Sequence, residues 1–262
     1  MSRDDAFRVS GILRDDGVQG VVISGGEPTL LPYLADLAAD LGKPLPQGGT
    51  PPRVVLSTNG LAPPSVIKRI LPSLSWIALP LESANLTEHQ GMRTGVSGHR
   101  GRVLSLLREV RQNHKGVQVK LGTVATKINV AGLAGVLDLI DDSCLPDIWK
   151  IYQMSATNYG ADNRSWLELG DDAFENAVSR CADAAALRGV SLQVYRNSTR
   201  EGSYLLIDPD CEVVVIDATG ERRVGNLFDG LATGIDWLKS SITTERNVRN
   251  FTATYPDLDP VT

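Results

Sequence analysis

The sequence predicts an α/β fold with a parallel sheet, and three observations point to it. Short apolar, β-branched runs alternate strictly with amphipathic runs of helical period. Several of the apolar runs are continuous rather than alternating, as strands covered on both faces are. Most of the strand-like runs end in small or polar residues, where ligands bind in folds of this class. Right-handed crossovers then curl the series into an open or closed barrel, or a doubly wound sheet.

The elements follow in order. Residues 4–16 have helical period, and 19–24 form the first strand. A helix is expected over 30–41, followed by a Pro/Gly-rich loop over 42–52. RVVLSTNG (53–60) is the second strand, and a helix runs from Pro64 to Ile70. WIALPLES (76–83) is the third strand. A polar loop over 84–100 and a helix over 101–113 lead to the fourth, VQVKLGTVATKI (117–128). A helix over 130–140 precedes WKIYQM (149–154). The Ala-rich stretch 171–188 is a long helix, and SLQVYR (191–196) closes the series. YLLIDPDCEVVVID (204–217) reads as a hairpin around Asp-Pro-Asp. A short helix near 231–241 and a poorly ordered tail are expected beyond it. This divides the chain into a (βα) core, residues 1–200, and a hairpin extension with tail, 201–262.

Composition limits the partners. Of 262 residues, 42% are apolar and 22% charged, and the net charge is −5. That disfavours nucleic-acid or anionic-membrane binding, both of which reward clustered Lys and Arg. No apolar run is long enough to span a bilayer. The N-terminus, MSRDDAFRVSG, lacks the apolar stretch of a secretory signal. Cys144, Cys181 and Cys211 are far apart and odd in number, which argues against a disulfide framework and for a reducing cytoplasm. His89, His99 and His114 show no metal-ligand spacing and read as surface or loop residues, so no metal site is expected.

The strand ends carry the chemistry. They are Ser24-Gly25-Gly26-Glu27-Pro28, Ser57-Thr58-Asn59-Gly60, Pro80-Leu81-Glu82-Ser83, the stretch Thr123 to Lys127, and Tyr152-Gln153-Met154 with the residues after it. Glycines there permit positive φ and close approach of a ligand to the backbone. Glu27 can pair with an ammonium, while Ser57, Thr58, Asn59 and Ser83 offer hydrogen bonds to ribose hydroxyls. Thr123, Tyr152 and Met154 join the same rim. Lys127 can meet a carboxylate or phosphate. Together they describe a pocket for a zwitterionic, sugar-bearing small molecule, with Glu27 and Glu82 as candidate acid–base groups. Structural alternatives stand beside each reading: Glu27 as the acid of a tight strand-to-helix turn, STNG as a turn, Ser83 as a helix N-cap, and Lys127 as a solvated charge.

Gly25-Gly26-Glu27-Pro28 resembles the GGEP motif of radical S-adenosylmethionine (SAM) enzymes. STNG, PLES and Met92-Arg93-Thr94-Gly95 recur in the order of that family. WKIYQMSATNYGADN and GSYLLIDPD resemble, more loosely, its viperin-like branch. The resemblance spans roughly residues 5–230. It implies a partial (βα) barrel, SAM bound through Ser24–Pro28 and the next strand ends, and a small-molecule or nucleotide substrate. In the complete family a [4Fe–4S] cluster on CxxxCxxC cleaves SAM reductively to a 5′-deoxyadenosyl radical. This chain contains no such triplet, so the resemblance implies that its first strand and cluster loop are absent here. The strand at 19–24 then becomes an edge, to be covered by the tail, a second copy or a partner chain. Three functions follow: a radical SAM-like protein without its cluster segment, a cluster-free SAM enzyme using polar chemistry, or an accessory subunit. For triphosphate oxygens the candidates are Lys120, Lys127, Arg196 and Arg200. Lys120 and Lys127 have opposite strand parity, and Lys127, nearer the rim, is the expected contact.

Overall fold

The computed structural model describes residues 1–45, 48, 50–155, 159–199, 205–217 and 220–229. The expected helix near 231–241, the tail, Arg200 and residues 156–158 lie outside them. The chain divides into two compact units. The larger comprises Gly20–Gly42 and Arg53–Tyr195; the other comprises Met1–Gln19, Lys43–Pro52 and Arg196–Thr262. The first 19 residues thus group with the C-terminal part of the chain.

The elements run α1 (Arg3–Asp15), β1 (Gly20–Ile23), α2 (Leu34–Leu41), β2 (Arg53–Ser57), α3 (Pro64–Ile70), β3 (Trp76–Pro80), α4 (Leu86–Met92), α5 (His99–Asn113), β4 (Gln118–Ala125), β5 (Ile148–Gln153), α6 (Tyr159–Asp162), α7 (Arg164–Leu167), α8 (Asp171–Arg188), β6 (Ser191–Tyr195), β7 (Leu205–Ile207), β8 (Glu212–Asp217) and β9 (Gly220–Asn226). Strands β1 to β6 form one parallel sheet in sequence order. β1 and β6 are its edges and do not pair, so the barrel is partial. Among the described residues no strand pairs with the outer side of β1.

Register sorts the side chains into two faces. Val54, Leu56, Ile77, Leu79, Val119, Leu121, Trp149 and Ile151 share one face and are buried. Val22, Val55, Ser57, Ala78, Lys120, Lys150, Tyr152 and Tyr195 share the other. Its residues nearer the strands' C-terminal ends, Ser57, Ala78, Pro80, Tyr152 and Tyr195, are only half-buried. This second face is the interior of the partial barrel.

Local chemistry accounts for most boundaries. Ser2 caps α1, its side chain accepting from the Asp5 amide at 3.1 Å. α8 stops at Gly189, whose φ of +64° few other residues adopt. Three expectations need correction. Pro32 splits the helix expected over 30–41 into a 3-10 turn (Pro28–Leu30) and α2. The helix expected over 130–140 is instead a 3-10 segment, Ala134–Leu139, with a second 3-10 turn, Asp142–Cys144, just beyond it. Two glycines weaken a helix there, and the segment lies hard against the β3 end: a Cβ on Gly132 would sit 2.5 Å from Glu88 Oε2 and closer still to Ser83 Oγ. The polar loop over 84–100 contains α4, whose signal was the cap Asn85, accepting from the Thr87 and Glu88 amides at 2.8 and 3.3 Å.

In the smaller unit the expected hairpin is a three-stranded antiparallel sheet, β7-β8-β9. The charged sequence of β9, GERRVGN, hid its strand character. Asp208 closes the β7–β8 turn by accepting from the Asp210 and Glu212 amides at 2.8 and 3.0 Å. The Arg8 guanidinium of α1 lies 3.9 Å from the centroid of the Phe228 ring.

Candidate functional site

The ends of β1, β2, β3 and β4 are joined by a hydrogen-bond lattice. Its first knot is Glu27. One carboxylate oxygen accepts from the Thr29 amide at 3.1 Å, the Thr29 hydroxyl at 2.5 Å and the Thr58 hydroxyl at 2.7 Å. The other accepts from the Asn59 amide at 2.7 Å. Glu27 therefore caps the 3-10 turn after β1 and ties it to the β2 end. One oxygen is saturated, and the second keeps a lone pair for a cation.

The second knot is Glu82, buried at the β3 end. Arg93 donates to one of its oxygens through both Nε, at 3.1 Å, and Nη2. The Val124 amide donates to the other at 3.0 Å. Asn129 spans Glu82 O and Val124 O at 2.7 and 2.8 Å, and accepts from the Thr126 amide at 2.8 Å. Ser83 donates to Glu88 at 2.6 Å and accepts from the Asn85 amide at 3.0 Å. It supports the start of α4 but does not cap it.

The expected site residues thus separate into groups. Ser24, Gly25 and Gly26 are exposed, Gly25 has φ of +127°, and no atom lies within 4 Å of a Cβ built on either glycine. Their backbone is open to a ligand. Pro28 is buried at the head of the turn. Ser57 and Tyr152 are half-buried on the interior face. The Asn59 side chain accepts from the Leu61 amide at 2.8 Å and closes its own turn. Met154 is buried. Glu27, Glu82 and Ser83 build the rim and are occupied by this chain's own donors and acceptors. A buried carboxylate held by Arg93 and Val124 is not placed to take a substrate proton, so Glu82 is a scaffold group, not a base.

Two expectations fail on direction. Thr123 points to the helix-covered face, donating to Leu81 O at 2.6 Å and accepting from Trp149 Nε1 at 2.9 Å. Lys127 is exposed, and its ammonium donates to Ser165 O at 2.9 Å. The lysines of the interior face are Lys120 and Lys150, both buried. Burial lowers Lys120 to about 8. Burial, with the Lys120 charge beside it, lowers Lys150 to about 7. Lys150 Nζ lies 4.6 Å from the Tyr195 ring centroid and 5.3 Å from that of Tyr152. The two rings meet edge to face at 5.8 Å. Strand parity already marked Lys120 as opposite to Lys127; a lysine inside an apolar strand was the signal for Lys150.

His89 and His99 also depart from expectation. Both are buried, with His89 Nε2 2.9 Å from His99 Nδ1. Cys144 closes a 3-10 turn, Cys181 is buried in α8, and Cys211 sits in the β7–β8 turn of the other unit. Burial raises the Cys181 thiol to about 12, far from the thiolate that iron requires. These residues do not fit a [4Fe–4S] cluster, whereas the open glycine backbone after β1 does fit the amino-acid end of SAM.

The sequence profile of the radical SAM superfamily matches residues 1–140. An S-adenosylmethionine-dependent nucleotide dehydratase of Flammeovirga pacifica is 24% identical over 213 residues, covering 80% of this chain and 68% of that protein. Streptococcus suis SuiB bound to S-adenosylmethionine superposes with a TM-score of 0.65 at 14% identity, over 93% of this chain and 60% of SuiB. Native anSMEcpe with bound AdoMet gives 0.64 at 13%, over 95% of this chain and 73% of its own. Those two likenesses carry the fold, the six-stranded parallel partial barrel. A profile matching more than half of the chain, on a sheet of that form with GGEP at the end of its first strand, places this chain in the radical SAM superfamily.

Proposed function

We propose that this chain is a SAM-dependent enzyme acting on a phosphate-bearing nucleotide. SAM lies at the β1 and β2 ends, its amino-acid portion against the Gly25–Gly26 backbone and the remaining lone pair of Glu27. The nucleotide phosphates lie deeper, over Lys120 and Lys150. The carrying observation is this pair of buried lysines on the interior face of the barrel, each with its pKa lowered. Two lysines on one interior face make a local basic site, and an anion entering the barrel would favour their charged forms. The nucleotide dehydratase relative supports the substrate class. Tyr152 and Tyr195 add ring faces beside the lysines.

Bound SAM supplies an electrophilic sulfonium. This chain's residues bind and orient it, and the rim carboxylates Glu27 and Glu82 are both engaged by this chain's own donors. The cysteines do not supply cluster ligands, which favours a second reading alongside the first. In it SAM undergoes polar group transfer or displacement without iron. In a third, the chain is an accessory subunit whose β1 edge receives a partner's strand or a second copy.

Calorimetry with SAM, and separately with ATP, CTP, GTP and UTP, tests the proposal. SAM and at least one triphosphate should bind more tightly than about 1 mM, and Lys120→Met/Lys150→Met should weaken the triphosphate at least about tenfold. No SAM binding at millimolar concentration removes the reading. Anaerobic reconstitution separates the mechanisms: a stoichiometric cluster that cleaves SAM on reduction would exclude the polar one.

A further inference from the structure

Lys150 lies in a fixed aromatic setting inside the partial barrel. Register builds the interior face from rungs that cross β4, β5 and β6. One rung carries Gly122, Lys150 and Gln193; the next toward the strands' C-terminal ends carries Val124, Tyr152 and Tyr195. Lys150 is 3% exposed. Its ammonium lies over both rings of the next rung, 4.6 Å from the Tyr195 centroid and 5.3 Å from that of Tyr152. Both distances are within the range of a cation–π contact. The rings fix each other, 73° apart with centroids at 5.8 Å, so that the edge of one meets the face of the other. Gly122 makes room for this arrangement. A Cβ there would lie 3.3 Å from Tyr152 Cε2, so the ring leans over bare backbone.

Ring faces do for this ammonium what an aliphatic side chain would not. Leucine at both tyrosine positions would cover Lys150 and offer its charge nothing. A tyrosine face carries the negative part of the ring quadrupole, so it attracts a cation without neutralising it. The ring nearer the ammonium belongs to β6, and Lys120 belongs to β4, on the other side of β5. The rings therefore draw Lys150 away from its like-charged neighbour. Facing Lys150 are thus Lys120 from β4, Tyr152 from its own strand and Tyr195 from β6. Burial and the Lys120 charge lower Lys150 to about 7. The ring faces act in the opposite direction and favour the charged form.

We propose that Tyr152 and Tyr195 are positioning residues for the substrate anion, a pair of ring faces that seats the Lys150 ammonium where a phosphate reaches it. This rests on the reading of Lys120 and Lys150 as the phosphate site. Calorimetry of the full chain with inorganic triphosphate, which has no base to recognise, reads that site alone. Tyr195→Leu should weaken binding at least about fivefold, and Tyr195→Phe, which keeps the ring face, by no more than about twofold. In a Lys150→Met chain, Tyr195→Leu should change the affinity no further, because the ring acts through the ammonium. The pH profile carries a second signature. Affinity should fall as pH rises above about 7, where Lys150 loses its proton. Loss of a ring face lowers Lys150 further, so the fall should begin at lower pH in Tyr195→Leu and stay in place in Tyr195→Phe. Equal affinity in the two variants, an effect of Tyr195→Leu that persists beside Lys150→Met, or an unmoved pH profile overturns the proposal. Failure of the unsubstituted chain to bind inorganic triphosphate overturns the parent reading instead. One measurement needs no substitution. The Lys150 ε-methylene protons, held beside ring faces, should resonate upfield of those of an exposed lysine and shift when inorganic triphosphate binds. Ordinary lysine signals, or signals indifferent to the bound anion, also overturn it.

Discussion

Glu27 shows how one residue serves both readings that its motif allows. Four donors from Thr29, Thr58 and Asn59 make it a structural tie, and one lone pair leaves it able to meet a cation. Glu27→Ala should therefore destabilise the ligand-free chain by about 2–4 kcal/mol, because several donors lose a charged acceptor. Urea unfolding without SAM measures this; an unchanged midpoint would mean the tie carries nothing. Lys150 makes a pH-dependent prediction. Its folded value of about 7 lies below the ordinary 10.5, so between these values the unfolded chain holds a proton that the native chain lacks. Its contribution to stability therefore rises with pH through that window. A bound phosphate would restore the charge. Triphosphate binding near pH 8 should take up a proton, seen as a dependence of calorimetric enthalpy on buffer ionisation and lost in Lys150→Met. His89 has the same sign. Its folded value near 4 is below the ordinary 6.5, so its contribution is fully present above pH 6.5 and is lost as pH falls toward 4.

Among the elements, α4 is the best example of a segment held by polar contacts at both ends. Asn85 caps its start, and Arg93, just past its end, reaches back to Glu82. Arg93→Leu would leave Glu82 buried without its counter-charge. The cost should be about 2–3 kcal/mol in urea unfolding, less than for a fully buried pair because Arg93 is one-third exposed. Gly132 tests the packing of the neighbouring crossover. A methyl there meets Ser83 Oγ and Glu88 Oε2. Gly132→Ala should thus cost about 1–3 kcal/mol, whereas Gly101→Ala, with open space around it and a helical backbone, should be neutral or slightly stabilising. Both follow from thermal or urea midpoints. A Gly132→Ala chain as stable as its parent would show that the β3 end yields more easily than its hydrogen bonds indicate.

For the whole molecule, the sheet order sets a gradient of protection. β3 and β4 lie inside the larger sheet with neighbours on both sides, while β1 and β6 have one each. Hydrogen exchange should therefore be slowest in 76–80 and 118–125 and faster in 20–23. Equal protection of 20–23 would point to something covering the β1 edge. The six parallel strands were legible in the sequence because strands buried between helices are continuous apolar runs, and burial is recorded residue by residue. The same holds for α8, bounded by an acidic start and a glycine stop. The GGEP and STNG segments were legible as strand ends for the same reason, since polarity changes where burial ends. Sequence alone therefore determined the fold class, the succession of its strands along the chain and where those strands end. Tertiary structure decided what each rim residue does. Whether Glu82 is a base or a buried partner of Arg93, and whether His89 meets His99, depends on contacts between residues seven to forty or more apart, which no local pattern encodes. Lys120 and Lys150 were separated from Lys127 in the same way. An inward lysine and an outward one differ only in the face toward which the register turns them.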